Sequence, residues 1–179
     1  MSILLFLLTP KAKVADNLKI FSKPRLASQD FSQAIHLVAF TLMPNHYHLV
    51  IHAKESSLVP GFMQRLNQKF THLINTNHNF VGHLFQSQYK SRLINSELDL
   101  VNTTAYVHLN SNELMRTNTE YYKEYPYNSL ATTHPVSAVV DQSLLFTKSG
   151  FSREDYNKYL DIKSKNFLEM QFMKKLMSS

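Results

Sequence analysis

One apolar run, Leu37 to Ile51, constrains this chain more than any other stretch. It reads as an extended strand. Pro44 within it marks an irregularity or an edge position, because proline cannot donate to a ladder. Inside the run, Met43-Pro44-Asn45-His46-Tyr47-His48 sets two histidines two residues apart. Alternate side chains of a strand share a face, so both imidazoles point one way and Tyr47 points the other, where it can pack in the core. Two neutral imidazoles side by side can hold one divalent metal. Two half-exposed histidines on a sheet surface satisfy the same pattern, and the spacing alone does not choose between them.

The segments after this run alternate in kind. Leu58 to Asn75 predicts a helix, since Phe62, Leu66, Phe70, Leu73 and Ile74 form one apolar stripe. Gln64, Arg65, Gln68, Lys69 and His72 occupy its other faces. Leu84 to Ile94 predicts a second strand. One parity carries Phe85, Ser87, Tyr89 and Leu93; the other is polar and basic, with Gln86, Gln88, Lys90 and Arg92. Ser96 and Asp99 form a capping box opening a helix to about Asn110, and Ser152 and Asp155 form another, opening a helix from Arg153 to about Leu176. Tyr125 to Ser129 is a proline-containing turn. The basic end of the last helix, Lys174 and Lys175, suits a helix C-terminus and needs no functional reading.

With 179 residues, 44% of them hydrophobic, the chain is long enough for one folded domain with an appended helix. Lys plus Arg number 19 against 13 Asp plus Glu, a formal net charge of +6. That balance suits a polyanionic partner, although a mildly basic protein with none has the same composition. Cysteine is absent, which excludes disulfides and thiolate metal sites. Ile3 to Leu8 is apolar but far too short to span a bilayer, and no basic stretch precedes it. The expectation is a soluble cytoplasmic protein without a membrane segment.

The helix from Ser96 places Tyr106 and Asn110 one turn apart on one face, with Asn102 a turn earlier. Leu98, Val101, Ala105 and Leu109 form the neighbouring stripe that would bury. A tyrosine in a row of asparagines makes sense beside a polar site, though a tyrosine on a helix is more often an amphipathic packing residue. His108, two residues along, faces elsewhere and is not a candidate.

Met43-Pro44-Asn45-His46-Tyr47-His48-Leu49-Val50 resembles the His-hydrophobic-His signature of the HUH single-tyrosine transposases, in particular REP-associated tyrosine transposases and their insertion-sequence relatives. Gly82 to Ser91 is similar to that family's Gly-x-Leu-Phe-Gln-x-x-Tyr/Phe-Lys-Ser strand. Tyr106-Val107-His108-Leu109-Asn110 is similar to its Tyr-Ile-x-Leu-Asn helix, and Tyr125-Pro126-Tyr127-Asn128-Ser129 to its Tyr-x-Trp-Ser-Ser turn. Four motifs in order, across roughly residues 35 to 130, are more specific than any one. The resemblance implies an α+β, ferredoxin-like (RRM-like) domain over 1–130, an antiparallel sheet with helices packed on one face, followed by a 131–179 extension ending in a C-terminal helix. It implies Tyr106 as a catalytic nucleophile and His46, His48 and Asn110 as ligands of Mg²⁺ or Mn²⁺. Its substrate would be single-stranded DNA beside hairpins, nicked and transferred through a 5′-phosphotyrosine. Lys90, Arg92, Arg65 and Lys69 are the candidate DNA contacts, each equally readable as a solvated charge. Relatives work as monomers or as homodimers.

The chain departs from that pattern in three places. Ser111-Asn112-Glu113-Leu114-Met115-Arg116 follows Asn110 where the family runs Pro-Val-Arg-Ala-Gly. Asn128 stands where the family often has Ser. No Tyr-His-Val-x-x-Arg strand is found at the N-terminus; either Ile3 to Leu8 replaces it or the strand is lost. A DNA-binding copy that has lost the reaction, a replication-initiator type nickase and a small metal-binding protein are the alternatives, the second disfavoured by the Gly82–Ser91 and Tyr106–Asn110 segments.

Overall fold

The computed structural model describes residues 31–115, 118–131 and 140–177. Ile3 to Leu8 lies outside them. The elements are β1 (Ile35–Leu42), β2 (Tyr47–Ala53), α1 (Leu58–His78), α2 (Glu97–Leu109), a 3₁₀ segment (Asn110–Leu114), α3 (Tyr121–Glu124), α4 (Ser143–Ser149) and α5 (Arg153–Met177). The described residues divide into two compact units, one with residues up to 36 and 52–93, the other with 37–51 and those from 94 onwards.

The apolar run is not one strand but a hairpin. Pro44 and Asn45 carry the chain across, and the Met43 N–H donates to the His46 carbonyl at 2.8 Å to close the turn. Proline is the cause: it cannot continue a ladder, so the run folds back at that point. Among the described residues the sheet has these two strands alone, antiparallel through the hairpin. The architecture is therefore α+β, and the sheet among the described residues is smaller than the ferredoxin-like expectation.

In the first unit α1 buries Phe62, Met63 and Leu66, with Phe31 edge-on to Phe62 at 5.6 Å between ring centroids. Phe70, farther along the predicted stripe, is half-buried and meets Phe85 at 5.9 Å. The helix ends at Asn79, whose left-handed backbone (φ 54°) turns the chain and returns its N–H to the Asn75 carbonyl. The predicted Leu84–Ile94 strand is absent: these residues have no regular structure. Their alternation reflects Phe85 and Tyr89 turned partly inward and polar neighbours turned outward, which an irregular extended segment also achieves without a ladder partner.

In the second unit Val38, Ala39 and Val50 of the hairpin pack with Val101, Ala105, Val107 and Leu109 of α2, Tyr122 of α3, Leu145 of α4, and Tyr156 and Leu160 of α5. Helix α2 starts as its capping box requires. The Ser96 hydroxyl accepts the Asp99 N–H at 3.1 Å, and the Asp99 carboxylate reaches back to the Asn95 N–H at 3.3 Å. Of the predicted stripe Val101, Ala105 and Leu109 are buried, but Leu98 is 64% exposed, because it sits in the first turn before the helix reaches the core. The second capping box opens α5 in the same way, Ser152 accepting the Asp155 N–H at 3.0 Å. The outer side of β1 is occupied by the Tyr125–Ser129 turn. The Leu42 N–H donates to the Tyr127 carbonyl, the Ser129 N–H to the Phe40 carbonyl, and the Phe40 N–H to Ser129 Oγ, at 2.9, 2.9 and 3.0 Å. The Asp141 N–H donates to the Leu37 carbonyl at 2.7 Å.

Candidate functional site

The hairpin and α2 bring His46, His48 and Tyr106 together within the second unit, and the Asn110 side chain meets Tyr106. The His46 and His48 rings lie 5.0 Å apart at 87°, on the shared face that strand alternation predicts. The His48 ring meets Tyr106 edge-on at 5.5 Å. Asn110 follows one turn on, where α2 tightens into the 3₁₀ segment.

The end of α2 is fixed by side chains that satisfy its last carbonyls, as a buried helix terminus demands. Thr41 Oγ1 of β1 donates to the Val107 carbonyl at 2.6 Å, and Asn128 Nδ2 donates to the His108 carbonyl at 2.6 Å. His108 is buried away from the site, as its register predicts. Its Nδ1 and Nε2 pair with the Tyr156 hydroxyl and Ser129 Oγ, both at 2.8 Å. Burial pushes its pKa down to about 3, so it is neutral. One ring nitrogen donates and the other accepts, which fits two hydroxyl partners. Asn128, where the family often has Ser, is thus a brace for the tyrosine helix.

The electrostatics of the four residues suit a cation. Burial, then the neighbouring His46, lowers the His48 pKa, leaving its ring neutral with a lone pair to offer. His46 Nδ1 pairs with Asn45 Oδ1 at 2.7 Å. An amide oxygen only accepts, so Nδ1 is the donor to Asn45, which leaves Nε2 as the nitrogen that can face a metal, the orientation that metal-binding histidines need. Asn110 is buried, and among the described residues its Oδ1 has no hydrogen-bond partner. An orphaned buried acceptor costs about 1–3 kcal/mol, and a cation would relieve it. Two imidazole nitrogens and one amide oxygen are a donor set that suits a divalent metal with positions left for phosphate or water. Among the described residues no three His, Cys, Asp or Glu side chains gather into a group that could hold a metal ion.

Tyr106 is 43% exposed. Burial of its inner part raises the phenol pKa, the negative charge of Glu113 raises it further, and the Asn110 amide pulls the other way. The phenol therefore resists ionisation unless a positive charge joins it. Neither Glu113 nor Asn45 was legible as a site residue: Asn45 lay inside what reads as one strand, and Glu113 lies in the segment that departs from the resembling family.

The basic candidates belong to the other unit. Lys90 and Arg92 are exposed on the irregular segment. Arg65 is half-buried on α1, its guanidinium 6.0 Å from the Phe31 ring centre. Lys69 is 2% exposed, and burial, then Arg65, lowers its pKa. The stripe reading placed Lys69 on a solvated face; α1 is covered on that side too.

The family model described as "Transposase IS200 like" matches residues 11–110, more than half of the chain. The chain belongs to the IS200-like transposase family. Membership ties it to DNA transposition and is in keeping with a DNA partner. For this IS200-like transposase the matched segment includes the hairpin, α1, α2 and all four clustered residues. It also begins before Phe31, in the region where no Tyr-His-Val strand is read. It ends at Asn110, so the Tyr125–Ser129 turn, α4 and α5 lie beyond it. No curated protein and no solved structure matches the chain. No helix among the described residues is long and apolar enough to cross a membrane.

Proposed function

We propose that this IS200-like transposase nicks single-stranded DNA beside hairpins and transfers the strand through a covalent tyrosine intermediate. The observation that carries the reading is the contact of Tyr106 with His48 and with the Asn110 amide, with His46 beside His48 and the Asn110 oxygen unpartnered among the described residues. Tyr106 Oη attacks the scissile phosphorus. A Tyr106–phosphate bond forms at the 5′ end, the bond to the 3′ oxygen breaks, and that oxygen leaves as a 3′-hydroxyl after taking a proton. The phenol proton is lost to solvent. The phosphodiester energy is kept in the new ester, so a later 3′-hydroxyl reseals the strand without ATP, regenerating the phenol. His46, His48 and Asn110 would hold Mg²⁺ or Mn²⁺, which when bound polarises the phosphate and offsets developing negative charge. The raised Tyr106 pKa supports the need for that charge. Lys90 and Arg92 are the candidates for tracking the DNA backbone.

The test is a denaturing gel of the purified protein with labelled single-stranded hairpin oligonucleotides from the flanks of its own gene, with Mg²⁺ or Mn²⁺. The expected result is a slow-migrating protein–DNA band that needs metal and is lost in Tyr106→Phe. Binding on a native gel with no covalent band would favour a DNA-binding copy that has lost the reaction. A band undiminished in Tyr106→Phe would overturn the nucleophile.

A further inference from the structure

Helix α5 lies beyond the matched family segment, yet three of its side chains reach α2. The Tyr156 hydroxyl pairs with His108 Nδ1 at 2.8 Å. The Tyr159 hydroxyl donates to Asn102 Oδ1 at 2.5 Å, while Asn102 Nδ2 donates to the Leu98 carbonyl at 2.9 Å. The Phe167 ring lies 6.0 Å from the Tyr106 ring, tilted by 56°. Tyr156, Tyr159 and Phe167 fall on one side of α5, at i, i+3 and i+11. The polar face of α2 is therefore not all open: Asn102 is engaged by α5, and Tyr106 is flanked by an aromatic ring from β2 and another from α5.

A half-exposed tyrosine with no neighbours swings among staggered rotamers, and holding one of them costs entropy. Tyr106 has His48 edge-on at 5.5 Å and Phe167 at 6.0 Å. Reaction at phosphorus needs the oxygen in line with the bond that breaks, so a ring fixed beforehand reacts faster than one that must be found. We infer that α5 is a working part of the site and that Phe167 is a positioning residue, holding the Tyr106 ring in the orientation from which it attacks. The chemical consequence rests on Tyr106 being the nucleophile; the restraint on the ring does not.

The experiment compares Phe167→Leu, which keeps an apolar side chain, with Phe167→Tyr, which keeps the ring. Two quantities are read on the full chain: the NMR signals of the Tyr106 ring, assigned by their loss in Tyr106→Phe, and the single-turnover rate of covalent adduct with saturating hairpin DNA. In Phe167→Leu the Tyr106 signals should shift as the neighbouring ring current is lost. The adduct rate should fall about ten- to a hundredfold, with DNA affinity unchanged. Phe167→Tyr should restore both. Unchanged Tyr106 signals in Phe167→Leu would overturn the inference whatever the adduct does. Shifted signals with an equal or faster adduct rate would overturn it as well. If the unaltered protein forms no adduct, the nucleophile reading fails, and the Tyr106 signals still decide whether Phe167 holds the ring.

Discussion

The His48 imidazole stands edge-on to the Tyr106 phenol, 5.5 Å between ring centres, although the two come from a hairpin strand and a helix far apart in sequence. Each ring leans on a second partner, His46 for His48 and Phe167 for Tyr106. Removing one member should therefore be felt by the others.

For the metal, His48→Ala deletes a donor and Asn45→Ala deletes the group that orients one. Loss of an orienting partner costs about ten- to a hundredfold in affinity. Asn45→Ala should weaken Mn²⁺ binding by that amount and His48→Ala by more. Calorimetric titration with Mn²⁺ ranks them; equal affinities for both variants and the unaltered protein would remove the histidines from the metal site.

Asn110 separates stability from activity. Its Oδ1 is buried and, among the described residues, without a hydrogen-bond partner. Asn110→Leu relieves that group, so thermal stability should change by no more than about 1 kcal/mol, while covalent adduct is lost. A large loss of stability with adduct formation intact would show that the amide serves the fold alone.

His108 gives a pH dependence. Its folded pKa is about 3, against 6.5 ordinarily. Below pH 6.5 the unfolded chain takes up a proton that the folded chain refuses until about pH 3. Its stabilisation is therefore complete above 6.5 and lost as pH falls through that window, at about 1.4 kcal/mol per unit. His108→Gln lacks this term. The stability difference between the two proteins, measured by urea unfolding, should shrink steadily from pH 6.5 towards 3; a constant difference would mean the imidazole is not buried neutral.

The basic residues should divide by exposure. Lys90→Ala and Arg92→Ala should each lower the slope of log K against log salt for single-stranded DNA by about 1. Lys69→Ala should leave the slope alone and lower stability by about 1–3 kcal/mol, because its side chain is packed inside α1's surroundings. A slope lowered by Lys69→Ala would contradict its burial.

Period and caps made much of this fold readable. Ser96 and Asp99 announced α2, Ser152 and Asp155 announced α5, and the two-residue spacing put His46 and His48 on one face. Pairing was not readable. Alternation at Leu84–Ile94 describes side-chain direction, and whether an extended segment joins a sheet depends on partners elsewhere in the chain. Pro44 was read as a flaw in one strand because nothing local says that the chain doubles back. Helix α4 escaped because seven residues carry too little periodicity to stand out. Tyr106, Asn110 and the histidines were legible through motif order, whereas Phe167 reaches Tyr106 only through the packing of α5, and its own neighbours in sequence carry no trace of that contact.

The turn that follows α3 has one more effect. By spending the backbone groups of Leu42 and Phe40 on Tyr127 and Ser129, and that of Leu37 on Asp141, the chain leaves this border of the hairpin with little to offer a passing strand. Folded copies of the protein crowded together therefore find few open backbone groups along this border of β1 on which to add a strand. Self-association by strand pairing is thereby turned towards other surfaces.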